Sequence, residues 1–159
     1  MIVAIILLAV LLADILTKYL SVIYLAPAGG DTVVIPHLLS FSYVENKGAA
    51  WGILSNHRWV FMLLSVVLII ALILILKFSG VKHKLFLISI ALILGGGIGN
   101  MIDRVLLGYV VDFIKVTFID FPVFNIADCA VVIGTVLLAV YLFFFDKEFL
   151  NKKTDGKEN

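Results

Sequence analysis

Four long apolar stretches divide the chain, at about residues 2–25, 59–78, 85–107 and 126–145. An α-helix rises about 1.5 Å per residue, so roughly 20 apolar residues cross the hydrocarbon core of a bilayer. The pattern therefore predicts four transmembrane helices. The first stretch is longer than the roughly 7–15 apolar residues of a secretory signal peptide, and it carries Asp14 and Lys18 without a basic start. We expect it to be a retained span.

The two linkers 26–58 and 108–125 are too long to be simple turns, and four spans place both on the same side of the membrane. Within the first linker, 32–35 and 39–44 are rich in β-branched and aromatic residues and are separated by Pro36. They predict a small antiparallel sheet on the outer membrane surface. We expect one all-α membrane domain over 1–150, with an extracytoplasmic β-sheet between helices 1 and 2, and a polar cytoplasmic tail at 151–159.

Composition agrees with a membrane protein. Hydrophobic residues make up 63% of the 159 residues and charged residues 14%, whereas about a quarter of a soluble domain is charged. A net charge of +1 offers no basic face for nucleic acid. Cys129 is the only cysteine, which excludes an intramolecular disulfide, and no Cys/His spacing indicates a zinc site.

Basic residues are divided unequally between the two sides of the predicted bundle. One side holds Lys77, Lys82 and Lys84 in the short linker and Lys147, Lys152, Lys153 and Lys157 in the tail. The other side holds only Lys47, Arg58, Arg104 and Lys115. The positive-inside rule then places both termini in the cytoplasm and both long linkers outside.

A first polar cluster interrupts the first apolar stretch. Asp14, Thr17 and Lys18 share one helical face because they are three and four residues apart. In lipid this face must point into the bundle. It is either a self-neutralising ion pair that locks helix packing or a support for a nearby polar site.

A second cluster follows a glycine-rich run in the third stretch. Gly95 and Gly99 form a GxxxG pattern that lets another helix approach closely. Asn100, Asp103 and Arg104 then lie on one face. An arginine that reaches the outer interface beside an acidic partner would explain Asp103 and Arg104, but the buried amide of Asn100 needs partners of its own.

Two further acids flank the second long linker. Asn125 and Asp128 have the spacing of an N-cap and a favourable first-turn acid, which any helix could use. Asp112 taken alone could be a surface loop acid. Together, Asp112 and Asp128 should lie near the same outer interface, since the linker between them has limited reach.

Two neighbouring carboxylates cannot both ionise without cost, so such a pair shares a proton. One carboxylate can then deprotonate a water while the other protonates or polarises a carbonyl. This is the chemistry of aspartic peptide hydrolysis, and it requires no cofactor. No Gly-x-Ser-x-Gly elbow is present, and His37, His57 and His83 lie in linkers, which weakens other hydrolase mechanisms.

The chain resembles the bacterial lipoprotein signal peptidases, also called signal peptidase II, over essentially its whole length. The matching segments are Asp14-x-x-Thr17-Lys18, the run ENKGAAWG at 45–52, Gly99-Asn100-x-x-Asp103-Arg104, VVDF at 110–113 and FNIAD at 124–128. The resemblance implies a membrane-bound aspartic endopeptidase of the bacterial cytoplasmic membrane, with its active site near the outer leaflet. The outer sheet resembles the periplasmic cradle of that family.

The resemblance also implies roles for particular residues. Asp112 and Asp128 match the catalytic pair. The residues that match polar groups lining the site or holding substrate are Asn46, Asn100, Asp103, Arg104 and Asn125, and Asp14 and Lys18 match a supporting pair on the first helix. We further hypothesise that Asn46, Lys47 and Gly48 belong to a flexible outer loop that clamps the substrate.

The implied substrate is a prolipoprotein that carries a diacylglyceryl group on the cysteine after its signal peptide, cut just before that cysteine. Globomycin-like cyclic peptides would be inhibitors, membrane lipid would surround the enzyme, and a monomer would suffice.

Two other functions compete with a peptidase. A small proton-coupled carrier would also contain intramembrane acids, but it would spread them across the bilayer depth. Here only Asp14 lies near mid-span, and the other acids of the polar clusters gather at one side. A non-catalytic assembly factor would use the charges only to pair helices, so that replacing Asp112 or Asp128 would damage folding rather than turnover.

Overall fold

The structure is a computed structural model that describes residues 1–48 and 58–145. Four helices and three strands follow the order α1 (Ile2–Tyr24), β1 (Thr32–Ile35), β2 (Leu39–Asn46), α2 (Arg58–Phe78), α3 (Lys84–Leu106), β3 (Val110–Val116) and α4 (Ile126–Phe144). The helix boundaries lie within one residue of the predicted spans. Part of the ENKGAAWG run, His57 and the tail 151–159 lie outside the described residues.

Length and apolar composition allow α1, α3 and α4 each to cross a membrane. The apolar helical segment of α2, Met62–Phe78, is shorter than these three. The helix surfaces agree with a lipid environment, because large apolar side chains such as Leu12, Leu63 and Val136 are exposed on them. Water would make such a surface aggregate, whereas lipid tails solvate it.

Helix α3 is the centre of the bundle and packs against α1, α2 and α4. Its glycines make this possible. A Cβ at Gly95 would lie 2.9 Å from Val10 on α1, and a Cβ at Gly96 would collide with the carbonyl oxygen of Ala127 on α4. The predicted role of the glycine run in close helix contact is therefore confirmed, and the run serves two neighbouring helices.

The core divides along the bundle into an apolar half and a polar half. The apolar half is built around Leu72, Phe86, Ile90, Ile93, Leu94 and Tyr141. The polar half contains the buried charged and amide residues Asp14, Lys18, Asn100, Asp112 and Asn125. Within it, Asp112 belongs to β3 and is bonded to Asn125, which joins this half of the bundle to the sheet.

The sheet has three antiparallel strands in the order β1-β2-β3. Strands β1 and β2 match the two predicted runs, but the prediction of a sheet formed only between the first two helices is incomplete. Strand β3 comes from the connection between α3 and α4 and pairs along β2, with Val44 opposite Asp112 and Asn46 opposite Val110. The expectation that Asn46 belongs to a loop is wrong, since it is the last residue of β2.

Candidate active site

Asp112 lies on β3 and is held by two amides. Its side chain is buried, with 2% of the residue exposed. Asn125 Nδ2 donates to Asp112 Oδ1 at 2.6 Å, and Asn46 Nδ2 donates to Asp112 Oδ2 at 2.8 Å. Strand β3 turns this carboxylate towards the helices, so Asp112 is not the surface loop acid that its sequence context alone allowed.

Asp128 lies in the first turn of α4 and is held by the helix cap. Asn125 Oδ1 accepts a hydrogen bond from Asp128 N at 2.9 Å, and Asp128 Oδ2 accepts one from Asn125 N at 3.2 Å. These reciprocal bonds form a capping box. Asp128 Oδ1 is free for a third contact and accepts from Asn100 Nδ2 at 2.7 Å. The predicted N-cap is confirmed, and the same residues also build the site.

Asn125 connects the two aspartates. Its oxygen caps α4 at Asp128, and its Nδ2 donates to Asp112 and also to Asn100 Oδ1 at 3.1 Å. The side chain is fully buried. Because one amide spans both carboxylate positions, the helix end and the strand are fixed relative to each other.

Lys18 forms a buried junction below this group, with 4% of the residue exposed. Its Nζ lies 2.8 Å from Asp14 Oδ2, 3.0 Å from Asp103 Oδ2 and 3.0 Å from Asn100 Oδ1. The ammonium group donates a hydrogen bond to Asn100 and forms ion pairs with the two carboxylates. Since an ammonium only donates, it faces the oxygen of Asn100 and leaves the NH₂ group of that amide to reach Asp128.

The remaining members of the polar clusters join separate elements to one another. Asp14 Oδ1 accepts from Ala127 N at 3.0 Å, which ties α1 to α4, and Asp103 Oδ2 accepts from Val111 N at 3.1 Å, which ties α3 to β3. Arg104 donates to the carbonyl oxygen of Asn100 at 3.2 Å. The sequence suggested Arg104 as the partner of Asp103. In the structure Asp103 forms an ion pair with Lys18 on α1. Asp14 and Lys18 form an ion pair, and Lys18 also donates to Asn100, the amide that contacts Asp128.

Burial sets the ionisation of Asp112. Loss of water raises the pKa of Asp112 to about 6, and the negative charge of Asp128 adds to the rise. The hydrogen bonds from Asn46 and Asn125 and the charge of Lys18 act in the opposite direction, because they favour the ionised form. A carboxyl group with this pKa can hold a proton near neutral pH and give it up during a reaction.

A cavity of about 500 Å³ opens beside the two aspartates. The polar part of its wall consists of Asn46, Gly48, Arg104, Asp112 and Asp128. The apolar part consists of Phe121, Pro122, Val123, Phe124, Cys129, Val132 and Ile133. Gly48 is buried, and its N–H donates to Asn46 Oδ1 at 3.0 Å, which orients the amide that contacts Asp112. A substrate in this cavity would meet both carboxylates and an apolar surface.

The sequence-predicted residues converge as follows. Asn46, Gly48, Arg104, Asp112 and Asp128 reach the cavity, and the other candidates, Asp14, Lys18, Asn100, Asp103 and Asn125, support these residues from behind. The apolar wall was not predicted from the sequence. The apolar run FPVF at 121–124 could have indicated this wall, since it lies directly before the Asn125 cap and is too short to be a span.

Comparisons with known proteins identify relatives over nearly the whole chain. Residues 6–144 match the family model of signal peptidase (SPase) II. The lipoprotein signal peptidase of Listeria monocytogenes serotype 4b (strain CLIP80459) is 45% identical over 143 residues, covering 89% of this chain and 92% of that protein. The lipoprotein signal peptidase of Lactobacillus johnsonii is 43% identical over 120 residues, covering 76% and 78%.

Two solved structures have a similar fold. A bacterial membrane enzyme determined by the in meso method at 2.3 Å resolution has a TM-score of 0.83 and 36% identity, covering 92% of this chain and 90% of that one. A second such structure, at 1.9 Å resolution, has a TM-score of 0.80 and 36% identity, covering 91% and 94%.

Proposed function

The chain belongs to the signal peptidase II family, and from this premise we propose that it is an intramembrane aspartic endopeptidase for lipid-modified prolipoproteins. It removes the signal peptide by cutting just before the diacylglyceryl-modified cysteine. The observation that carries the proposal is the linkage of Asp112 and Asp128 through Asn125 at the wall of one cavity. A purely structural charge cluster has no need of a cavity beside its carboxylates.

In the proposed mechanism the pair begins with one proton, held by Asp112. Asp128 takes a proton from a water, whose oxygen attacks the carbonyl carbon of the scissile peptide bond. The proton of Asp112 passes to the carbonyl oxygen, which gives a neutral tetrahedral intermediate. Asp128 then protonates the leaving nitrogen as the carbon–nitrogen bond breaks, and a hydroxyl of the intermediate returns its proton to Asp112. The pair ends in its starting state.

The surrounding amides suit this cycle. Each carboxylate keeps two fixed donors, so neither has to rotate between the two proton transfers. Asn46 is also positioned at the cavity wall by Gly48. In place of the loop expected from sequence, we propose that Asn46 at the end of β2 and the two residues after it, Lys47 and Gly48, contact the polar part of the substrate near the modified cysteine.

We propose four spans with both termini in the cytoplasm, because the lysines gather in the connection after α2 and in the tail. The sheet, the aspartates and the cavity then lie near the outer leaflet of the bacterial cell membrane. The lipid-modified cysteine of a translocated prolipoprotein would lie at this depth. A globomycin-like cyclic peptide would compete for the cavity, and a monomer contains every residue that the mechanism uses.

The test is cleavage by the purified protein in detergent, with products identified by mass. We expect a diacylglyceryl-modified prolipoprotein to be cut immediately before its cysteine, and the same chain without the lipid to be cut far more slowly. A globomycin-like peptide should block the reaction. If neither form is cut, the peptidase proposal fails, and a carrier or an assembly factor becomes the better explanation of the polar clusters.

A further inference from the structure

The connection between β3 and α4 exposes an unusual amount of apolar surface. Phe118 is 61% exposed, Ile119 53% and Phe121 45%, and Asp120 is the only charged residue between Thr117 and Asn125. These side chains project from a connection and not from a helix that spans lipid. An isolated apolar residue on a surface needs no explanation, but a contiguous group of large ones marks a contact surface.

This connection, residues 117–124, is firmly attached at its base. Phe124 N donates to Ile114 O at 3.0 Å, and Ile114 N donates to Phe124 O at 2.8 Å. The ring of Phe121 packs edge-on against Phe124, with centroids 5.8 Å apart. The exposed tip at Phe118 and Ile119 is therefore carried on a fixed base beside β3.

The connection is continuous with an apolar helix surface. Phe121 to Phe124 line the active-site cavity, and Val132 and Ile133 on α4 line it as well. Val132 and Ile133 are themselves exposed on the outside of the bundle. Because α4 begins at Ile126, the connection lies where this helix leaves the bilayer.

We propose that the apolar side chains of residues 117–124 insert into the hydrocarbon of the outer leaflet, while Asp120 stays at the polar interface, and that they form the lipid-facing rim of the active-site cavity. This inference rests on the membrane orientation given above. The partner is the acyl region of the lipid bilayer itself, because the connection lines the same cavity as Val132 and Ile133, which α4 also exposes on its lipid-facing surface. The cavity then opens sideways towards lipid, between the connection and α4.

A sideways opening has a consequence for the substrate. A lipid-modified chain would pass from the bilayer to the aspartates along an apolar wall, without drawing its hydrocarbon chains through water. The rim would also fix the depth of the scissile bond, since the base of the connection is bonded to β3, two residues beyond Asp112.

The depth of the connection can be measured with spin labels on the full-length protein in phosphatidylcholine and phosphatidylglycerol vesicles. Replacing the single native cysteine, Cys129→Ala, leaves a background into which Phe118→Cys or Ile119→Cys is introduced. Leu12→Cys, exposed on the middle of α1, is the reference for lipid, and Lys82→Cys, exposed in the connection before α3, is the reference for water. Accessibility to oxygen relative to a water-soluble nickel complex reports depth.

We expect the labels at 118 and 119 to have accessibility ratios nearer to that of Leu12 than to that of Lys82. Ratios nearer to that of Lys82 overturn the proposal and leave a partner protein as the occupant of this surface. The measurement needs no catalysis, so it stands or falls separately from the peptidase proposal. The two labelled positions guard against one variant that fails to insert.

Discussion

Replacing Asn125 with serine should separate its structural contribution from its catalytic one. Its oxygen caps α4 by accepting from Asp128 N at 2.9 Å, and its NH₂ group donates to Asp112 Oδ1 at 2.6 Å. Serine caps a helix about as well as asparagine, so the cap survives in the Asn125→Ser variant. The donor to Asp112 is lost.

The expected loss of activity follows from that one bond. A hydrogen bond to a charged group contributes about 1.5–3 kcal/mol. At about 1.36 kcal/mol per factor of ten, kcat/KM should fall roughly 10- to 150-fold. Asn125→Ala, which also removes the cap, should be less stable in detergent than Asn125→Ser by about 1 kcal/mol.

The pH dependence gives an independent readout of the same variant. The bond from Asn125 lowers the pKa of Asp112, because it favours the ionised form. Removing this bond should raise the pKa of Asp112 above its value of about 6. If Asp112 must be protonated to act, the alkaline limb of the kcat/KM profile moves to higher pH. Wild-type kcat/KM in Asn125→Ser, or a loss that merely follows the unfolded fraction, would refute this reasoning.

Three other predictions concern the bundle and the proton. Gly96→Ala should destabilise the protein by about 1–3 kcal/mol, because the added methyl would collide with the backbone of Ala127. Gly97→Ala should be tolerated, because its methyl would have no neighbour closer than 3.8 Å. Equal melting temperatures of the two variants would contradict this helix packing. Lys18→Met should cost about 3–5 kcal/mol, because it leaves the buried carboxylate of Asp14 and the partly buried carboxylate of Asp103 without this cation; thermal unfolding in detergent measures this, and an unchanged transition would argue against the buried junction. Wild-type kcat/KM should decline as pH rises through about 6, since Asp112 then loses its proton; a profile that is flat from pH 5 to 8 would remove Asp112 as the proton carrier.

The sequence predicted the helices well because lipid leaves the backbone few alternatives. Apolar length alone located α1 to α4 within one residue, and the glycines at 95 and 99 correctly indicated close helix contact. The polar candidates were also found, since charged and amide groups inside apolar stretches are rare enough to stand out.

Long-range pairing could not be predicted in the same way. Strand β3 was missed, although the run VVDFIKV has the β-branched character of a strand, because its partner β2 lies far away in the chain and no local turn connects them. The contact of Lys18 with Asn100 and of Asp14 with Ala127 depends on how α1 packs against α3 and α4. Helical spacing shows which residues share a face, but it does not show which face of another helix they meet.

The central claim is tested most directly by comparing wild type, Asp112→Asn and Asp128→Asn in cleavage of a diacylglyceryl-modified prolipoprotein. Asparagine keeps the size of each side chain, so both variants should fold, insert and bind a globomycin-like inhibitor. The account predicts that both lose cleavage while retaining inhibitor binding. Cleavage at a near wild-type rate by either variant would contradict the aspartate pair.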